Sequence, residues 1–584
     1  MEEENGVRVW KIRTNECFRE ARFSRRTYLK EWCSLTRGKL IVGETNRVAP
    51  GVTARRAAMS ERAFGKWSCA ATTVLPYLLA LLFALLALRG ALSTDVVDPD
   101  AARHAMNGVF LHDLIREGQI GHPVAYAKKY YSHFPALSLP YHPPLLPLAE
   151  SIFFLLFGVH YLVARLLISL FTGGCVILFY KLVLKTDGSH FLAVASIMTF
   201  FVLRGSYLVS RDIMLEFPAL FFALGALYFL AKSDADFNLR SSLGFALLAA
   251  AAVWTKQQTI FLGAVPFAHI VIARKWDALK NRWLWFSAAV FGVLVAVLAA
   301  ISIETGFGTN RGWRHGGIAA MAAKRILAYA TGFRDQFTLV PALFVAGSFL
   351  FFLLTSQRRR GSKRDLYLAW VLAVSIELLF LPPYDKRYLF FMQPALIFLA
   401  YAALCRLSEL VLRPSRAWLI PSAVVVAVVA LNVARVPVFL QGPSTAASLA
   451  AGNGDNRILY FGRTNGAFIF ALRTLDPRLK SVVIRGDKLP SELLQADRFE
   501  NFAHDYGVNF VILEQTNRTV PWDALLASPA RSMDWQADIP LRCSFPDRSG
   551  TLHIYRFKTP SPNPKQTIHL EKGIYRQDID LTER

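Results

Sequence analysis

Along the chain, long apolar runs are separated by short polar and basic segments. Residues 67–88 contain no charged side chain and are long enough for one spanning helix. Further runs read as spans at 161–184, 191–207, 217–231, 243–254, 260–273, 283–302, 337–354, 366–381, 388–405 and 418–434, about eleven in all. The stretch 143–157 is different. It is short, opens with Pro143 and Pro144, has a third proline at Pro147 and carries Glu150, so it is expected to lie on the membrane surface inside the first external loop. The runs are unbroken rather than alternating, which excludes a β-barrel.

Leaving 143–157 uncounted puts Arg274, Lys275, Lys280 and Arg282, then Arg358, Arg359, Arg360, Lys363 and Arg364, then Arg406, Arg413 and Arg416 on the cytoplasmic side, as the positive-inside rule requires. The same register collects Asp98, Asp100, His142, the segment 210–216, Lys256 and the segment 382–387 at the external face. An odd number of spans from an internal start also leaves the tail outside. The expected organisation is a basic cytoplasmic extension (1–66), a transmembrane domain (67–434), a small extracytoplasmic α/β domain (435–557) and a flexible tail (558–584). Strands are expected at 457–461, 481–484, 509–513 and 552–557, with a helical stretch at 490–504.

Composition agrees with this picture. Of 584 residues 54% are hydrophobic and only 18% charged, which rules out a cytosolic enzyme, a disordered scaffold and a collagen-like fibre. The formal charge of +24 would suggest nucleic acid in a soluble protein. Here the cations sit between apolar runs and orient the chain against anionic lipid, so no nucleic-acid partner is expected. The six cysteines are scattered without a CxxC spacing, so neither a disulfide framework nor a zinc site is indicated.

Several external residues could carry chemistry. Asp98 and Asp100 follow span 1, where a shielded carboxylate can act as a general base, although Asp before a helix is also a good N-cap. His142 is fixed by the prolines after it. Glu216 sits at the membrane edge, where an unpaired acid is costly, and Arg211 could bridge to Asp212 or Glu216. Arg165, Lys256 and Arg387 are cations near the level of a lipid phosphate. Snorkelling explains each alone but not their collection beside carboxylates.

Asp100-Ala-Ala-Arg-His-Ala after span 1, His142-Pro-Pro-Leu opening a surface helix, Arg165 in the next span and Met214-Leu-Glu216-Phe-Pro in the second external loop together resemble the GT-C glycosyltransferase superfamily. The nearest branches are the bacterial aminoarabinose and lipopolysaccharide core sugar transferases, with the protein O-mannosyltransferases more distant. The resemblance covers roughly 74–434 and implies a polytopic α-helical GT-C-like fold, with the tail similar to the soluble domain that often follows. It implies that Asp100 is catalytic, with Asp98 as the fallback, and that His142, Arg165, Glu216, Lys256 and Arg387 bind substrate. His142 stands where aminoarabinose transferases carry lysine and protein O-mannosyltransferases histidine. Glu216 either orients substrate or holds a divalent metal; no other cofactor is implied.

The implied reaction moves a sugar from a polyprenyl-phosphate donor to a hydroxyl of a glycan, lipid or protein acceptor, with inversion, at the outer face of a bacterial inner or plasma membrane, among membrane lipids. A secondary transporter or lipid flippase is the main rival, but it predicts mid-membrane charges and matching halves, and neither is evident. A membrane anchor and a polymer ligase with a lipid-diphosphate donor are further alternatives. Asn517-Arg518-Thr519 is an N-glycosylation sequon that matters only in a eukaryotic secretory host.

Overall fold

The computed structural model describes residues 69–581 except 140–141, 234–236, 305–317, 338, 357–363, 381–384, 434–437, 453–455, 528–531 and 573–574. The basic extension expected at 1–66 and the start of span 1 lie outside these residues. The apolar runs are helical: α1 (Cys69–Leu88) is followed by the first-loop helices α2 (Pro99–Arg116), α3 (Pro123–His133) and α4 (Leu145–Phe157). Next come α5 (Tyr161–Thr186), α6 (His190–Val202), α7 (Arg204–Ser210), α8 (Glu216–Ser233), α9 (Leu239–Thr255), α10 (Val265–Ala273) and α11 (Arg282–Glu304). The helical set closes with α12 (Ile318–Phe337), α13 (Leu339–Ser356), α14 (Asp365–Phe380), α15 (Gln393–Val411) and α16 (Leu419–Val433).

Among the described residues four helices are long and apolar enough to cross a membrane, five if the bent pair α6 and α7 counts as one span, and six shorter apolar helices accompany them. The bend between α6 and α7 is 69° and falls at Leu203, whose extended backbone (ψ 148°) interrupts the helical ladder. The run expected at 191–207 is therefore two pieces. Two other expected spans begin as 3₁₀ turns, Gln257–Gly263 before α10 and Lys386–Met392 before α15.

Helix α4 has 13 residues, about 20 Å of rise against about 30 Å of hydrocarbon. Leu146, Glu150 and Phe154 are buried, whereas Leu148, Ile152, Leu155 and Phe157 are exposed. Gly108 of α2 makes the packing of the two helices close: a Cβ there would lie 2.6 Å from Glu150 Cβ.

The tail folds as an α/β unit. Its six-stranded sheet has the order β1-β5-β6-β4-β2-β3, with β1 (Leu440–Gln441), β2 (Arg457–Phe461), β3 (Val482–Arg485), β4 (Phe510–Thr516), β5 (Met533–Cys543) and β6 (Gly550–Phe557). Strands β3, β2 and β4 are parallel, and β4, β6, β5 and β1 are antiparallel. The parallel centre reads as near-continuous apolar sequence because both faces are covered. On one face Ile458, Tyr460, Ile512 and Ile554 join the core that contains Ala101, Ala105 and Val109 of α2. On the other, Leu459, Val511 and Leu513 pack with Phe499 and Phe502 of α19 (Ala496–Asp505); α17 (Pro443–Ala451) and α18 (Asn465–Leu475) precede it. Within 558–584, read from the sequence as flexible, an antiparallel hairpin pairs β7 (Thr567–Lys572) with β8 (Tyr575–Asp580).

This unit is fastened to the first loop. Asp95 N–H donates to Leu440 O at 2.8 Å, Leu440 N–H donates to Thr94 Oγ1 at 2.8 Å, and the Asp95 carboxylate accepts from Ser444 N–H at 3.0 Å. A Cβ on Gly466 would meet Ala102 Cβ at 2.8 Å, so α18 lies almost on the first turn of α2.

Candidate active site at the head of the first loop helix

Asp98 caps α2: its Oδ1 accepts from Asp100 N–H at 2.9 Å, and Pro99 follows at the first helical position, where a missing N–H is harmless. The capping reading of Asp98 is thus what the geometry displays, and it holds Asp100 in the first turn.

Asp100 Oδ2 accepts from Arg387 Nη2 at 2.9 Å, and Oδ1 lies 3.4 Å from Arg103 Nη1. Arg387 is steadied by Asp385, which accepts from its backbone N–H at 2.8 Å and from Nε at 3.0 Å. Close by, Lys256 Nζ donates to Glu216 Oε1 at 2.7 Å and lies 5.2 Å from the centre of the Tyr388 ring. Glu216 Oε2 is buried without a hydrogen-bond partner. His142 meets His104 edge to face, with ring centres 4.4 Å apart.

These groups act on one another. Burial raises the Asp100 carboxyl, but the hydrogen bond and charge of Arg387, with Arg103, outweigh it and hold the group below the usual carboxylate range. Burial raises Asp98. His142 is pushed down to about 4, first by burial and then by Lys256 and Arg103, against the pull of Asp100 and Glu216. Burial and the neighbouring cations also push His104 down, so both imidazoles are neutral near pH 7.

The structure therefore brings together Asp98, Asp100, His142, Glu216, Lys256 and Arg387, which reach one place from five separate segments. Arg165 stands one step away. It is buried in α5, donates to Ala87 O and, at 3.1 Å, to Tyr161 Oη, and reaches the cluster only through Tyr161 and Asp212. Among the described residues no three His, Cys, Asp or Glu side chains gather as a metal-ligand set, and one oxygen of Glu216 is held by an ammonium group. The donor set does not fit a metal.

Asp212, read from the sequence only as a possible bridge partner of Arg211, has a role that the sequence did not disclose. It is buried, and its Oδ2 accepts from the backbone N–H groups of Val97 at 3.2 Å and Asp98 at 2.7 Å. Its Oδ1 accepts from Tyr161 Oη at 3.2 Å and Ile213 N–H at 2.9 Å. Arg211, expected to bridge to Asp212 or Glu216, instead lies over the Tyr207 ring at 4.1 Å. A cavity of about 150 Å³ opens beside this anchor, with Val97, Asp98, Asp212, Gln336, Arg387 and Phe545 among its walls.

Comparisons with known proteins follow the same outline. The family described as dolichyl-phosphate-mannose-protein mannosyltransferase matches residues 128–307. No curated protein matches the chain in sequence. The crystal structure of ArnT from Cupriavidus metallidurans bound to undecaprenyl phosphate is similar over 84% of this chain and 98% of that one, at 15% identity and TM-score 0.53. Its apo form covers the same shares at 15% identity and TM-score 0.52. The chain has a fold similar to that of ArnT, with a small sheet domain at its C-terminal end.

Proposed function

We propose that the protein is an integral membrane glycosyltransferase that takes a sugar from a polyprenyl-phosphate donor at the extracytoplasmic face. The observation that carries this reading is the Asp100–Arg387 ion pair beside the Lys256–Glu216 pair. It joins a candidate base to candidate phosphate-binding cations. The family match to residues 128–307 and the undecaprenyl phosphate named for the ArnT structure support the lipid-linked donor.

In this reading the donor phosphate approaches Arg387 and Lys256 while its chain stays in the bilayer. Competition for Arg387 loosens the grip on Asp100, whose carboxylate regains basicity when it is needed. The acceptor hydroxyl passes its proton to Asp100 as its oxygen bonds to C1. The bond from C1 to the phosphate oxygen breaks, and the electron pair leaves with the polyprenyl phosphate, which the cations stabilise. One displacement inverts the anomeric centre. Asp98 organises the helix start and Glu216 offers its unengaged oxygen to a sugar hydroxyl; no step runs through a metal.

The eleven-span topology, with the basic end in the cytoplasm and the sheet domain outside a bacterial inner or plasma membrane, belongs to the same proposal, with a glycan, lipid or protein as acceptor. A transporter or flippase is the second reading, but clustering of the charges at helix ends rather than in mid-span favours the enzyme. The deciding experiment offers purified membranes a polyprenyl-phosphate sugar and follows release of polyprenyl phosphate. Wild-type turnover that disappears in Asp100→Asn at equal protein level supports the reading; equal turnover in the variant refutes the role of Asp100.

A further inference from the structure

The outer side of the sheet domain carries a constellation that the candidate active site leaves unused. Trp535, near the start of β5, is 60% exposed. Its indole is nevertheless fixed, since Nε1–H donates to Asp538 Oδ1 at 3.0 Å. The same oxygen faces His553 Nδ1 at 2.7 Å, and His553 Nε2 faces Gln515 Oε1 at 2.9 Å. Asp538, His553 and Gln515 thus form a polar row across β5, β6 and β4. Asp538 Oδ2 and Gln515 Nε2 are engaged by no other described residue.

We propose that this row is a sugar-ring subsite for a glycan acceptor, which rests on the transferase reading above. A pinned, exposed indole offers a flat apolar face for the C–H side of a pyranose or furanose ring. Beside it, Asp538 Oδ2 accepts and Gln515 Nε2 donates hydrogen bonds to ring hydroxyls, the pairing that a sugar presents.

The position of β5 links this subsite to the reacting centre. Among the described residues β1 pairs only with Arg542 and Cys543, and Gly442 packs against Pro540 and Leu541, so β5 has no partner strand on its outer edge from Met533 to Ile539. Beyond Cys543 the chain reaches Phe545, which lines the cavity next to Asp98. From Trp535 to Cys543 the strand covers on the order of 25 Å. An acceptor several sugars long, laid along β5, would have one residue on Trp535 and its growing end near Asp100.

Charge favours a glycan over lipid as the occupant. Trp535 stands between Asp534, whose Oδ1 lies 2.8 Å from Lys558 Nζ, and Asp538. Asp534 is neutralised by Lys558, but the carboxylate of Asp538 is repelled by an anionic leaflet, and the indole N–H is already engaged within the protein.

The test uses the full chain in lipid nanodiscs with linear mannan, arabinan and glucan oligosaccharides of one to six residues as probes. At least one series should bind more tightly as it lengthens. Trp535→Ala should weaken the longest member by about tenfold, Trp535→Phe by less, and monosaccharide binding should stay the same in all three proteins. Asp100→Asn should bind like wild type while transferring about a hundredfold more slowly or worse. The subsite is refuted if no series binds, if Trp535→Ala binds the long probes like wild type, or if brominated lipid quenches wild-type fluorescence more than that of Trp535→Phe. Failure of the transferase reading is distinct: wild type would bind the long probes yet release no polyprenyl phosphate.

Discussion

Arg473 and Asp113 stand 360 positions apart in the chain and meet as a buried fork, with Nε at 2.9 Å from Oδ2 and Nη2 at 2.5 Å from Oδ1. Tyr130 Oη and His112 Nδ1 complete the carboxylate's partners at 2.9 Å each. The pair fixes the sheet domain to α2, whose head carries Asp98 and Asp100.

Removing one member of this pair leaves its partner charged and dry. Arg473→Met or Asp113→Asn alone should cost about 3–5 kcal/mol, whereas the double variant should recover much of the loss. Thermal unfolding in detergent, compared across the four proteins as a double-mutant cycle, measures the coupling.

The two first-loop carboxylates should separate cleanly. Asp100→Asn is expected to lower transfer by about a hundredfold or more, the range for a lost general base. Asp98→Asn preserves a good N-cap and should stay within a few fold of wild type. Single-turnover rates with saturating donor rank the two; the opposite order would move the base to Asp98.

Asp212 makes a prediction about pH. Burial, helped by the charge of Asp98, pushes its carboxyl up to about 6. An acid raised in the folded state binds its proton more tightly there than in the unfolded chain. Its contribution to stability is therefore largest below about pH 4 and is lost as pH rises to about 6, a change of about 3 kcal/mol. Unfolding midpoints measured from pH 4 to 7 should show this component in wild type and lack it in Asp212→Asn. Activity should run the other way, because the ionised carboxylate is the better acceptor for the N–H groups of Val97 and Asp98.

Lys256→Met should lower stability by about 3–5 kcal/mol because Glu216 then lies buried and unpaired. Glu216→Gln combined with Lys256→Met should fold normally, bind donor weakly and show a raised KM. Donor titration of the double variant distinguishes lost phosphate binding from lost chemistry, and an unchanged KM would remove Lys256 from the donor site.

Much of this gathering could be read in the sequence, because charges at the edges of apolar runs have few structural excuses, and Asp100, Glu216, Lys256 and Arg387 all lie there. The count of spans was less legible. Helix α12 mixes charged and apolar positions, so a search for unbroken apolar runs passes over it, although Gln336 from it lines the cavity. The break at Leu203 has no proline to announce it. Asp212 was hidden differently: its partners are backbone N–H groups more than a hundred residues away, and main-chain donors leave no mark in the amino-acid pattern. Strand β5 was missed because Pro540 and the irregularity between Trp535 and Ala537 break its alternation.

The separation in sequence between Asp100 and Arg387 bears on biogenesis. A ribosome delivers the carboxylate 287 residues before its guanidinium, and Asp113 waits longer still for Arg473. Over that interval the early loop holds acids whose distant counterions have not been made. A chain halted after α14 should have its first helices inserted and its reaction centre unmade, and quality-control proteases would meet it as an open hairpin of half-neutralised helices. Completion of the last segments is then the event that converts an inserted polypeptide into a working site.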